Sequence, residues 1–171
     1  MPLQGKKFII LIEDMFNDLE FWYPYYRLKE GGAEVIVVGS GSAEEYSGKS
    51  GTSARPDAKA DQISAAGIDG IIIPGGYAPD HMRRYPKMVS IVKELFEAQK
   101  VVAAICHAGW MLASANIVKG RKVTSVSSIK DDLVNAGATW FDEEVVVDGK
   151  LITSRRPDDL PAFMRAVIRE T

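Results

Sequence analysis

Apolar positions along the chain fall into two alternating patterns. Short continuous runs rich in β-branched residues occupy positions 8–12, 35–38, 71–73 and 101–105, each bounded by Gly, Pro or charged residues. Runs of that length without polar alternation suit strands buried on both faces of a parallel sheet. Between them, apolar residues recur three or four positions apart. Leu19, Trp22, Tyr23 and Tyr26 do so across 19–30, and Val89, Val92, Leu95 and Phe96 across 86–98. That spacing predicts a helix in each segment. Gly31-Gly32 ends the first helix ahead of the run at Val35. Strand and helix in alternation predict a doubly wound α/β sheet, mostly parallel, with helices on both faces.

Three stretches depart from this rhythm. Positions 39–56 are rich in Ser and Gly with no helical period, and read as a loop or small hairpin at the sheet edge. Positions 144–154, EVVVDGKLITS, place two strand-like runs around Asp148-Gly149, a strong two-residue hairpin signal. Positions 158–169 fit a C-terminal helix with Leu160, Phe163, Met164, Val167 and Ile168 on one side. No repeat, linker or low-complexity tract intervenes, so one domain over 1–171 is expected.

Composition removes several function classes. Of 171 residues, 21 are basic and 23 acidic, a net charge of −2, and this balance argues against a nucleic-acid binder. No apolar run approaches the ~20 residues of a membrane span, and the start is not a signal peptide, so a cytoplasmic protein is expected. The only cysteine is Cys106, which excludes an intrachain disulfide framework and suggests a reducing compartment. With two histidines, His81 and His107, no metal site is expected.

Candidate chemistry therefore centres on Cys106. In VVAAICHAGWMLASA a buried strand runs straight into a helix, with Cys106 at the junction. There a thiol sits at the carboxyl edge of the sheet and at a helix N-terminus, where dipole and free N–H groups favour a thiolate. Ala104, Ala108 and Gly109 provide the small neighbours that a strained elbow needs. The plainer alternative is a small buried hydrophobe. His107, next in the chain, is either its base or a helix cap or subunit contact. Ile71-Ile72-Ile73 runs into Pro74-Gly75-Gly76, whose N–H groups suit an oxyanion hole, or simply a tight turn. No phosphate-binding glycine motif follows, which disfavours a nucleotide enzyme. Asn17 and Glu20 have the spacing of a capping box, yet their turn emerges at the same sheet edge, where a buried protonated Glu20 could serve the thiolate.

Taken together, AAICHAGWML, IIIPGGYAPD, DLEFWYPYYRLKEGGAEV, GRKVTS, IKDDLVNAGATW and EEVVVDGKLITSR resemble the PfpI family of intracellular cysteine peptidases. That family lies within the superfamily of the parkinsonism-associated deglycase and the class I glutamine amidotransferases. The resemblance implies a flavodoxin-like fold with a nucleophile elbow. It implies Cys106 as nucleophile, His107 as its histidine, Glu20 as the acid at the elbow, and Gly75 and Gly76 beside the oxyanion site. It also implies that Asp80 completes a triad with His107 of a neighbouring subunit. The chain departs from the family pattern at Ala108-Gly109-Trp110 after the elbow, at Asn17, and at Val126, which stands where peptidase-type members have a pocket tyrosine. Trp110 is large enough to reshape the site mouth.

The function expected from this resemblance is a cofactor-independent stress-protection enzyme of the glyoxalase III or deglycase type, acting on small reactive carbonyls. The alternatives are an intracellular cysteine peptidase acting on peptides and a non-catalytic redox sensor or chaperone. A homo-oligomer is expected, because Trp22, Tyr23, Tyr25 and Tyr26 give the first helix more aromatic surface than one core face needs.

Overall fold

The computed structural model describes residues 1–171. Strand β1 (Lys7–Ile12) leads through helix α1 (Asp18–Glu30) to β2 (Glu34–Gly39), which pairs parallel to β1. A small antiparallel pair follows, β3 (Tyr46–Ser47) with β4 (Ser53–Ala54), and then β5 (Ala58–Lys59) adds to the outer side of β2. The chain crosses back to β6 (Gly70–Ile73) on the other side of β1, and continues through α2 (Ala78–Met82) and α3 (Pro86–Glu97) to β7 (Val101–Ile105). Helix α4 (Gly109–Ser114), β8 (Lys122–Val123), α5 (Lys130–Asn135) and β9 (Thr139–Trp140) come next, with β8 and β9 forming a separate parallel pair. The hairpin β10 (Val145–Asp148) and β11 (Leu151–Ser154) docks on β7 through β11, and α6 (Leu160–Glu170) closes the chain.

The main sheet has the order β10-β11-β7-β6-β1-β2-β5 and is parallel except for β10, the flavodoxin-like doubly wound architecture. Residues 8–12 and 71–73 are wholly buried, which is why they read as unbroken apolar runs. Helix α1 breaks the usual pattern, because it buries Asp18 and Glu20 along with Phe21 while Leu19 and Tyr26 stay exposed. Crossovers leave β1 toward β2 on one side and β6 toward β7 on the other. The strand order therefore reverses between β1 and β6, and a crevice opens at their carboxyl ends.

The Ser/Gly-rich segment contains the β3–β4 hairpin, within the expected range. Strands β5, β8 and β9, two residues each, and the short helices α2 and α5 have no counterpart in the sequence reading. Two residues give no hydrophobic period to detect.

Candidate active site

Three strand-to-helix connections meet at this crevice, after β1, β6 and β7. At the end of β7 the backbone turns abruptly, and Cys106 adopts φ +61° before one 3-10 turn leads into α4. A left-handed conformation costs a residue with a Cβ on the order of 1–2 kcal/mol. The fully packed strand before it and the packed helix after it hold the turn in place. Gly109 lets α4 pack closely there, because a Cβ would come within 3.1 Å of both Ile129 and Leu133. Cys106 itself is only 9% exposed.

Glu20 faces this thiol from the first turn of α1, completely buried. Its Oε2 accepts the Gly75 N–H at 2.8 Å. Its Oε1 has no hydrogen-bond partner, and the carboxyl lies near enough to the Cys106 thiol for each to shift the other's titration. Half of the expected capping box is present. Asn17 Oδ1 accepts the N–H groups of Leu19 and Glu20, each at 3.1 Å. The return bond from Glu20 is absent, because the Asn17 N–H is taken by the Gly75 carbonyl at 3.1 Å and the Glu20 side chain turns inward. Pro24, four residues on, supplies no N–H to the Glu20 carbonyl.

The two glycines divide the work differently from a shared oxyanion hole. The Gly75 N–H is occupied by Glu20, whereas the N–H groups of Gly76 and His107 serve the Cys106 sulfur. A Cβ on Gly75 would lie 2.5 Å from Glu20 Oε2 and 2.8 Å from Cys106 Cβ, so glycine is what lets acid and thiol meet. At Gly76, φ +77°, a Cβ would fall 2.5 Å from the Met15 carbonyl oxygen and the Asn17 nitrogen.

Electrostatics couple the pair. Burial raises Glu20 to about 7, against the opposing pull of the Gly75 and Cys106 hydrogen bonds and the Lys49 charge. Burial, together with the charge of an ionised Glu20, pushes the Cys106 thiol up to about 12, while the His107 and Gly76 N–H groups favour the thiolate. Two obstacles therefore oppose a thiolate, burial first and then a second negative charge. Moving the thiol proton onto Glu20 removes that charge and converts the carboxylate into a hydrogen-bond donor.

His107 diverges from Cys106 enough for its ring to swing back, with Nδ1 3.3 Å from Sγ and Nε2 3.3 Å from Ser128 Oγ. Partial burial and then the Lys49 charge hold it below its ordinary range, which favours a neutral ring able to accept a proton. Its ring packs on Trp110 at 5.1 Å. Trp110 is anchored by its own N–H to Asp132 at 2.8 Å and lies beneath the Arg83 guanidinium. Asp80 does not join this cluster within the chain. It sits exposed on α2, 3.7 Å from Arg84, and Ser128 takes the place at His107 Nε2. No group of three or more His, Cys, Asp or Glu side chains is arranged to hold a metal ion.

Sequence reasoning missed Ser128, Asp18 and Lys49. Asp18 is buried and gathers the N–H groups of Ser50 and Thr52 at 2.8 and 2.9 Å, plus the Thr52 hydroxyl. Burial would raise its pKa, but those hydrogen bonds outweigh it and hold the carboxyl below the ordinary value. The loop so tethered carries Lys49, whose ammonium lies 4.9 Å over the Tyr77 ring, and that charge acts on both Glu20 and His107. The one available signal was a lone lysine among small residues in SGKSG.

The DJ-1/PfpI family profile matches residues 6–170, and the chain belongs to this family. It is 43% identical over 163 residues to the deglycase PfpI of Pyrococcus furiosus, covering 95% of this chain and 98% of that one. It is 41% identical over 167 residues to the protein/nucleic acid deglycase 2 of Escherichia coli, covering 96% and 97%. Among solved structures, a two-domain protein of Anabaena variabilis with DJ-1/ThiJ/PfpI-like and ferritin-like domains superposes with a TM-score of 0.94 at 44% identity. That match covers 96% of this chain but 47% of the Anabaena chain, about half its length. No helix is long and apolar enough to cross a membrane.

Proposed function

We propose that the protein destroys small reactive carbonyls, or removes their adducts, as a glyoxalase III or deglycase, with Cys106 as nucleophile. The observation that carries this reading is the buried Glu20–Cys106 pair, an acid and a thiol that shift each other's titration beside two N–H donors. The deglycase names of relatives over 40% identical support it. With methylglyoxal, the thiolate sulfur bonds to the aldehyde carbon and the carbonyl π-electrons move to oxygen. Glu20 protonates that oxygen while the Gly76 and His107 N–H groups steady it. His107 then takes the C1 proton, an enediol forms, and C2 is reprotonated to give the lactoyl thioester. Water cleaves the C–S bond, releases lactate and returns the thiol. The sum is methylglyoxal plus water to lactate, with no outside oxidant or reductant.

The test is incubation of pure, metal-free protein with methylglyoxal. Lactate should accumulate with the wild type and not with Cys106→Ala, and equal rates in the two would overturn the reading.

The exposed face of α1 forms a shallow groove lined by Leu19, Trp22, Tyr23 and Tyr26, and it is the surface on which we place the homo-oligomer contact. Aromatic surface of this kind, on a protein with a charged remainder, fits a second copy of the chain. Light scattering should report an oligomer that Tyr26→Glu dissociates; a monomeric wild type refutes it. The peptidase alternative needs Asp80 of such a second copy at His107, and Asp80 is held in its own chain only by an exposed pair with Arg84. Hydrolysis of a fluorogenic peptide that Asp80→Asn abolishes would favour that alternative.

A further inference from the structure

A second cleft lies across the elbow from Glu20. Ser125, Val126, Ser127, Asp142, Arg155 and Arg156 line its roughly 160 Å³. The sheet register ties it to the nucleophile: Ser154 pairs with Ile105, so Arg155 and Arg156 leave β11 alongside Cys106. From the other wall, the Val126 N–H donates to the Cys106 carbonyl at 3.4 Å, and Ser128, two residues on, holds His107.

Its two arginines are in opposite states. Arg155 is fully committed, with Nε and NH2 on the two oxygens of Asp159 at 2.9 and 3.1 Å, and NH1 on Asp142 at 2.9 Å. Asp142, the only acid in the lining, is thereby matched. Arg156 is exposed, its side chain makes no hydrogen bond or ion pair, and Pro157 behind it opens the next turn. Ser127 likewise has an uncommitted hydroxyl. The Ser125 hydroxyl, in contrast, is occupied by Trp140 Nε1 and the Val126 carbonyl. The cleft therefore carries one unmatched guanidinium and one free hydroxyl beside the elbow. A planar guanidinium of that kind suits the paired oxygens of a carboxylate or phosphate.

We propose that Arg156, assisted by Ser127, recognises a carboxylate or phosphate on the molecule that carries the reactive carbonyl, so that the enzyme prefers anionic adducts. The substrate half of this statement rests on the carbonyl reading above; anion binding in the cleft does not.

Inorganic phosphate is the first probe, titrated calorimetrically into the wild type, Arg156→Ala and Val126→Phe. Both substitutions should weaken binding about fivefold or more, one by removing the charge and the other by filling the cleft. Equal affinity in the wild type and Arg156→Ala overturns the proposal. The second probe is a set of methylglyoxal adducts on three thiols: N-acetylcysteine, its neutral amide, and a phosphorylated mercaptoethanol. In the wild type, kcat/KM for the charged adducts should exceed that for the neutral one about fivefold or more, and Arg156→Ala should collapse the ratio. Which charged carrier gains most tells carboxylate from phosphate. Indifference of the wild type to charge overturns the substrate half. Arg156-dependent phosphate binding without turnover of any adduct defeats the carbonyl reading and leaves the anion site standing.

Discussion

Replacing Glu20 by Gln tests the coupling on which the chemistry depends. The amide keeps an oxygen for the Gly75 N–H and offers an N–H to Cys106, but it cannot ionise. In the wild type the pair holds two exchangeable protons. One leaves near pH 7, where buried Glu20 titrates, and the last only toward pH 12, because a thiolate there is buried and would also face a carboxylate. Two unit charges ~4 Å apart at an effective dielectric constant of ~20 repel by about 4 kcal/mol, which is the ceiling on what removing the Glu20 charge can return. Between those limits the pair carries one proton, and the thiolate fraction is fixed by how that proton divides between sulfur and oxygen. The rate of Cys106 alkylation by iodoacetamide, followed by mass spectrometry, should therefore rise near pH 7 and stay flat to about pH 9. Glu20→Gln should show a single thiol titration below 12 yet above the ordinary thiol value, since the charge is gone and the burial stays, with the rate climbing about tenfold per pH unit up to it. The plateau height in the wild type, relative to the maximum in the variant, measures the share of the proton on Glu20. A wild-type rate that climbs continuously from pH 7 to 10, parallel to the variant, would refute the shared proton.

Other consequences can be measured on the same protein. Glu20 titrates near 4.5 when solvated and about 7 in the fold, so the unfolded chain binds fewer protons between those values. Stability due to this group is greatest below 4.5 and falls as pH rises to 7, by about 3 kcal/mol. Urea midpoints of the wild type should drop over that window relative to Glu20→Gln, and parallel curves would contradict it. Gly75→Ala forces a Cβ to within 2.5 Å of Glu20 Oε2, and should cost lactate formation about a hundredfold or more while far-UV dichroism stays native. Lys49→Met removes the charge that lowers both Glu20 and His107, so the ascending limb of the pH–rate profile should move to higher pH, and an unmoved limb refutes that role.

The parts legible in the sequence are those whose physics is local or periodic. The runs at 8–12, 71–73 and 101–105 lie in strands buried on both faces, and burial on both faces is what an unbroken apolar run encodes. Cys106 was legible as an elbow for a related reason, since a buried strand turning at once into a helix leaves the junction residue little choice but a strained turn. Glu20 was ambiguous because capping and catalysis require the same spacing. Only the tertiary bond between Asn17 N–H and the Gly75 carbonyl, 58 residues apart in numbering, decides that its carboxyl turns inward. Lys49 and Ser128 were silent because one reaches the site from a loop and the other from a single 3-10 turn, neither with a period to read, through contacts closed by the sheet order rather than by neighbours in sequence. The same logic explains the two arginines. Arg155 and Arg156 are indistinguishable as a dipeptide, and what separates a neutralised strut from an unmatched charge is that Asp142 and Asp159 both fold onto the first. Charge in this site is thus assigned by pairing rather than by composition, and a net charge of −2 conceals one guanidinium left uncompensated beside the Cys106 elbow.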